Sequence, residues 1–330
     1  MRIKLKFHIT DFKYLAPIIV QKSTFIKNRL LSIAIYQNEI NEQSFISTLD
    51  LTVLAHFHHY QLEEWRFVLD SFFEIHEIHI EDINFKKPFF NMIYSPPHFT
   101  GELLFIIESV LFSFIENKHP ELLNFVFKKP IEINALFSPD LPLKRLPSWI
   151  KIKINPTSSC LESTITLIND LRAQKEHLTI RLDGNAQFEL TQLLSFLNAL
   201  EKKCGPIRSF IDYIEEPFFN YHDYYLFQKL SLIPYALDES LLFFQDSLDQ
   251  LPKKCFLILK PSLMGISKGF ELIDRNPHKV IVSSTYETAT AIRPLLYLAA
   301  LNPLTAHGLD TLKFLPKHLS INVDHFSLLF

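Results

Sequence analysis

Beyond residue 131 the chain repeats one unit: a short run of β-branched and aromatic residues that ends in a polar residue, then a stretch with helical periodicity. The runs are Ile131–Phe137, Trp149–Ile154, Leu178–Asp183, Ser209–Glu215, Ile233–Asp238, Cys255–Lys260, Val280–Ser284 and a short one before Gly308. Helical stretches between them include Ser158–Ala173, Leu190–Lys203, Ser267–Arg275 and Tyr286–Leu301. Eight such runs over about 180 residues predict a (β/α)8-type barrel, because each helix returns the chain to begin another parallel strand. The competing solution is a doubly wound open sheet. That fold normally carries a glycine-rich phosphate turn after its first strand, and neither G-x-G-x-x-G nor a P-loop occurs here.

Residues 1–100 lack the repeat. Arg2–Phe7 and Arg29–Tyr36 read as strands and Gln61–Phe73 as a helix, with Phe57, Tyr60, Trp65, Phe72 and Phe73 as aromatic filling for a small α+β domain. Pro96–Pro97 marks a boundary, and Gly101–Asn117 reads as a helix. The expected division is an α+β capping domain over 1–100, a barrel over 101–315 and a C-terminal segment, 316–330, that returns to the capping domain. A chain of 330 residues, 48% of them hydrophobic, is long enough for one large barrel core or two domains.

Charge and cysteine usage exclude several partners. The net charge is −3 and the lysines and arginines form no block, which predicts no nucleic-acid partner and no membrane surface. The longest apolar run, Leu103–Ile115, is interrupted by Glu108 and Ser109, so no membrane span is expected. Met1–Phe7 alternates basic and apolar residues as a strand does and lacks the apolar core of a leader peptide. Cys160, Cys204 and Cys255 are widely spaced with no C-x-x-C, which fits a reduced, cytoplasmic compartment. Nothing in the sequence sets an oligomeric state.

The active site of a (β/α)8 barrel lies at the C-terminal ends of its strands. Side chains alternate along a strand, so in Trp149–Ile154 the isoleucines share the helix-facing side while Lys151 and Lys153 point inward. The same parity turns Thr179, Arg181 and Asp183 inward on the next strand, then Tyr213 and Glu215, then Asp238, then Lys260. Asp183 to Glu215 is 32 residues, Glu215 to Asp238 is 23 and Asp238 to Lys260 is 22. Each interval suits one strand plus one helix, so each residue occupies the same end of the next strand. Three carboxylates on adjacent strand ends form a hard-oxygen pocket suited to Mg²⁺. A lone buried carboxylate is more often an ion-pair partner, and a K-x-K can be a solvated strand face. So much inward charge at successive strand ends, however, is costly unless the groups engage each other or a metal.

These residues resemble a known family. Lys151-Ile-Lys153, Asp183-Gly-Asn185, Ile214-Glu-Glu-Pro217, Leu237-Asp-Glu-Ser240 and Leu259-Lys-Pro261 are similar to the ordered motifs of the muconate-lactonizing branch of the enolase superfamily. Within it, Leu182–Phe188, Ser283–Thr288 and Gly308–Leu312 resemble segments of the o-succinylbenzoate synthases. The resemblance covers about residues 101 to 315. It implies a modified TIM barrel with a capping domain, and a Mg²⁺-dependent lyase that dehydrates a small carboxylate substrate of menaquinone synthesis. It also implies Asp183, Glu215 and Asp238 as metal ligands, chosen with Glu215 rather than Glu216 inward. Lys153 becomes the base, with Lys151 lowering its pKa and Lys260 stabilising an enediolate. Ser284 and Thr285 become candidates for holding a substrate carboxylate.

Two departures accompany the resemblance. Gly184 stands where the family usually has alanine, and Lys27-Asn-Arg-Leu30 replaces an Arg-Glu-Gly approach to the second strand. A substrate-covering loop is expected within Tyr14–Phe25. Rival readings are an N-acylamino acid racemase or dipeptide epimerase of the same superfamily, and a non-catalytic binding barrel. Against the epimerase, Ala306-His-Gly-Leu-Asp310 lacks the Asp-x-Asp such enzymes carry there. His56 and His58, with His59, His76 and His79 nearby in sequence, lack a Cys or H-E-x-x-H companion and read as ordinary histidines rather than a metal site.

Overall fold

The computed structural model describes residues 2–20, 23–39, 42–52, 62–75, 100–120, 131–138, 146–241, 251, 255–276, 280–303 and 305–320. The chain divides into two compact units. One comprises Met1–Glu132, Lys260–His278 and Val282–Phe330, the other Ile133–Leu259 and Lys279–Ile281.

The first unit begins with three antiparallel strands, β1 (Arg2–Val20), β2 (Ser23–Glu39) and β3 (Glu42–Thr52), in the order β1-β2-β3. Alternation buries Leu31, Ile33, Ile35, Leu49 and Leu51 on one face. Two expectations change here. Strand β3 had no counterpart in the sequence pattern, and the segment expected as a loop, Tyr14–Phe25, is largely strand. Pro17 cannot donate to a ladder, and the β1–β2 register shifts between Lys13 and Ile18 to accommodate it. Helix α1 (Leu62–Ile75) packs Trp65, Leu69 and Phe73 inward.

Helix α2 (Gly101–Lys118) starts at Thr100, whose hydroxyl accepts from the Leu103 amide. It is buried on almost every side, Glu108 and Ser109 included. Glu108 is useful there because its carboxylate accepts the Ile266 and Ser267 amides at the start of another helix, supplying the cap that Gly265 cannot. Among the described residues, no helix is long and apolar enough to cross a membrane.

The second unit is built on a seven-stranded sheet whose order follows the chain: β4 (Ala135–Leu136), β5 (Trp149–Lys153), β6 (Thr179–Asp183), β7 (Ile211–Glu215), β8 (Tyr235–Leu237), β9 (Cys255–Leu259) and β10 (Val280–Val282). Pairing is parallel from β4 through β9. Helices α3 (Ser158–Gln174), α4 (Leu190–Cys204) and α5 (Tyr221–Leu230) provide the returns. Tyr213, Ala236, Ile258 and Ile281, one from each of four successive strands, form a buried layer with Phe256 beside it.

The run before Gly308 is reduced to a single parallel bridge with Ser283. Its backbone still bonds both ways: Gly308 N donates to Val282 O at 2.8 Å and His307 N to Glu132 O at 2.8 Å. The architecture is the modified (β/α) barrel with an N-terminal α+β region that the sequence predicts. Three later helices belong to the first unit: α6 (Pro261–Met264), α7 (Ile266–Arg275) and α8 (Arg293–Leu301). Helix α8 is shorter than the expected Tyr286–Leu301, because Tyr286 has φ of 69° and Pro294 lies in the first helical turn. Residues 321–330 and the histidines at 56, 58, 59, 76 and 79 lie outside the described residues.

Candidate active site

Strand β5 follows the predicted parity: Ile150 and Ile152 are buried, Lys151 is half-buried and Lys153 is exposed. Its register places Lys153 beside Asp183 of β6, and Asp183 beside Glu215 of β7. The two carboxylates and Lys151 meet. Lys151 Nζ lies 2.7 Å from Glu215 Oε1 and 3.2 Å from Asp183 Oδ2.

The side chains of Lys151, Asp183 and Glu215 are 16%, 7% and 3% exposed, so solvent screens little of their attraction. Burial alone would push the Lys151 ammonium toward neutrality. The charges of Asp183, Glu215 and Asp238 outweigh it and hold the group well above the usual lysine range. Two carboxylates from consecutive strands thus pair with one cation, and the charge of Asp238, at the end of the next strand, also favours its charged form. Among the described residues, no three His, Cys, Asp or Glu side chains form a metal cage as they stand. The donors nevertheless fit a hard divalent ion, being all carboxylate oxygens whose charges focus on one ammonium.

The strand ends are shaped to aim these groups. Asp183 Oδ1 accepts the Asn185 side-chain amide at 2.8 Å and the Asn185 backbone amide at 3.3 Å, which leaves Oδ2 for Lys151. Asn185, Ala186 and Glu216 have φ of 44°, 54° and 37°, left-handed values that cost about 1–3 kcal/mol each in non-glycine residues and persist only where the surroundings enforce them. Gly184 has no room for a side chain, since a Cβ there would fall 2.9 Å from Pro217 Cα.

Below this level, Arg181 is fully buried between the rings of Trp149 and Tyr213, with guanidinium-to-centroid distances of 4.8 and 4.7 Å. Its Nε donates to Asp212 at 2.9 Å. The sequence pattern gave no function to this Arg–aromatic support or to Glu216. Glu216 is buried, and its carboxylate, raised to about 7 by burial, accepts from Asp238, Ser240 and Tyr224. The signal available was a second acid before Pro217.

The remaining candidates belong to the first unit. Lys260 directly follows β9, is 8% exposed and begins α6. The Ser284 hydroxyl donates to Gly308 O at 3.1 Å and shares a 2.6 Å hydrogen bond with Thr311. Thr285 Oγ1 donates to Glu287 at 2.7 Å and shares a 2.7 Å bond with Ser262. Both hydroxyls are therefore engaged within the protein. Burial raises the Glu287 carboxyl above the usual range.

No family model matches the chain. Over 152 residues, 44% of this chain and 46% of the relative, it is 29% identical to an o-succinylbenzoate synthase of Yersinia pestis. The match thus spans less than half the length of that curated relative. In fold, the chain is similar to an o-succinylbenzoate synthase from Thermosynechococcus elongatus BP-1 complexed with Mg in the active site, with TM-score 0.68, 16% identity and coverage of 100% and 99% of the two chains. It is also similar to a dipeptide epimerase from Enterococcus faecalis V583 complexed with Mg and L-Leu-L-Tyr, with TM-score 0.73, 17% identity and coverage of 96% and 92%. The motif resemblance to o-succinylbenzoate synthases thus has support in sequence, and the two solved structures share the barrel fold.

Proposed function

We propose that this chain is a Mg²⁺-dependent enzyme of the enolase superfamily that dehydrates 2-succinyl-6-hydroxy-2,4-cyclohexadiene-1-carboxylate to 2-succinylbenzoate, a step of menaquinone biosynthesis. The observation that carries the proposal is the pairing of Asp183 and Glu215, on adjacent strand ends, with the Lys151 ammonium, whose charged form Asp238 also favours. Those three side chains would hold the metal, which when bound supplies a Lewis acid against the oxyanion that develops on the substrate carboxylate.

The chain's own lysines divide the remaining work. Lys151 is locked as an ammonium between two carboxylates and cannot accept a proton near neutral pH. Lys153, on the same face and exposed, is the base. It takes the proton from the carbon next to the substrate carboxylate and then delivers it to the departing hydroxyl, so that water leaves and the ring becomes aromatic. By the resemblance, Lys260 offers a second ammonium to the enediolate. Ser284 and Thr285 would, by the same resemblance, hold a substrate carboxylate, and both hydroxyls already have partners within the protein.

An absorbance assay of diene loss with Mg²⁺ and with chelator tests the proposal. Fast Mg²⁺-dependent loss is expected. The epimerase similarity at TM-score 0.73 supports a second reading, a racemase or epimerase on the same carboxylate chemistry. Proton exchange on an N-acylamino acid or dipeptide, with the diene untouched, would replace the first reading by the second.

A further inference from the structure

Strand β8 has three residues, with two register pairs to β7 and three to β9, and both ladders end by Leu237, one residue before Asp238. Beyond that point the chain is held by Glu216, across the sheet. Its Oε2 accepts the backbone amides of Asp238 at 2.7 Å and Ser240 at 3.3 Å. Its Oε1 accepts the Tyr224 hydroxyl of α5 at 2.9 Å and, in a short hydrogen bond, the Ser240 hydroxyl. Four donors occupy one carboxylate that is 2% exposed, and three of them belong to the Asp238–Ser240 turn.

The backbone of Glu216 shows that this arrangement is enforced. Its φ of 37° breaks the strand parity that would carry the residue after Glu215 away from the ligand level. Its amide still donates to Ala236 O at 2.9 Å, so the left-handed turn and the β7–β8 ladder coexist. We infer that Glu216 is the positioning residue for Asp238: it ties the end of β8 to β7 and α5, and so fixes the direction of the Asp238 carboxylate. The two adjacent acids then have separate tasks, Glu215 toward the cation and Glu216 toward the backbone that carries the third carboxylate. Ser240 and Tyr224 are the other fixed points of the clamp. The inference rests on the reading of Asp238 as a Mg²⁺ ligand.

The test is a double-mutant cycle on Mg²⁺ affinity, measured by titration calorimetry on the whole chain, with Asp238→Asn, Glu216→Gln and the pair. A glutamine presents an NH₂ to donors that need an acceptor, so Glu216→Gln is expected to weaken Mg²⁺ binding about 10-fold, the scale of outer-shell partners of metal ligands. The half-saturating Mg²⁺ for turnover should rise by a similar factor, and kcat at saturating Mg²⁺ should change by a smaller one. In the Asp238→Asn background Glu216→Gln should add nothing, because it acts through Asp238. Additive effects, or unchanged affinity in Glu216→Gln alone, would overturn the inference. Unchanged affinity in Asp238→Asn would instead remove Asp238 from the ligand set, a separate failure. If Glu216→Gln does not fold, Ser240→Ala, which removes one of the four donors, takes its place in the cycle with a smaller expected loss and the same requirement of non-additivity.

Discussion

Replacing Lys151 by methionine tests the central arrangement without relying on any substrate. Methionine keeps the length and apolar stem of the side chain and removes only the ammonium. That ammonium is the shared partner of Glu215 at 2.7 Å and Asp183 at 3.2 Å, in a cluster whose carboxylate side chains are 3% and 7% exposed. Removing one partner of a buried ion pair costs about 3–5 kcal/mol, because the other charge stays buried and uncompensated. Two carboxylates share this cation, which places the loss toward the upper end of that range. Net stabilities are only about 5–15 kcal/mol, so the variant should be visibly weakened. A fall of about 1 M or more in the urea midpoint is expected at slopes of about 1–3 kcal/mol per molar.

Metal should reverse the deficit. A divalent cation among the same carboxylates replaces the missing charge, and at about 100 times its dissociation constant it restores about 2.7 kcal/mol. Wild-type protein should gain less, because the ammonium already there repels the incoming ion. Lys151 titrates above the usual lysine value, so its stabilisation is complete below an unfolded pKa of about 10.4 and is lost only as pH rises through the higher folded value. From the lysine itself, no change in the wild-type advantage is therefore expected between about pH 7 and 9. Urea titrations with and without Mg²⁺ decide the matter. A cost under about 1 kcal/mol, or a larger Mg²⁺ gain in wild type than in the variant, would refute the shared-cation argument.

Other perturbations separate the remaining roles. Lys153→Ala should cut turnover by about 10²–10⁴-fold while calorimetric Mg²⁺ affinity stays near wild type; a variant keeping most of its rate would remove Lys153 as the base. Gly184→Ala puts a Cβ 2.9 Å from Pro217 Cα and 3.1 Å from Glu216 O, and should destabilise by about 1–3 kcal/mol in urea; a neutral result would mean the β6 and β7 ends yield easily. Burial raises Glu108 from 4.5 to about 7, so its contribution is fully present below pH 4.5 and is lost as pH rises to about 7. The stability of wild type relative to Glu108→Gln should fall by about 3 kcal/mol across that window, and a flat difference would show that the carboxyl is not desolvated.

The barrel was legible because its strands obey a short-range rule. Parity in Trp149–Lys153 and regular spacing of Asp183, Glu215 and Asp238 depend only on local sequence, and those strands formed where expected. The N-terminal sheet was less legible because its pairing is tertiary. Strand β3 carries Gln43, Ser44, Ser47 and Asp50, poor strand formers taken singly. Asp50 is satisfied by the Ser32 hydroxyl from β2 and by Thr288 and Thr290, which are 238 and 240 residues distant. The acid pair at the end of β7 shows the same limit within the site. Parity alone turns Glu215 inward, and it assigns Glu216 to the opposite face. A glycine at 216 would have advertised a left-handed turn, but a glutamate does not. What gives Glu216 its conformation is a set of donors from Asp238, Ser240 and Tyr224 that only folding assembles. The charges that meet the cation follow a periodic pattern, whereas the groups that aim them depend on contacts with no period at all.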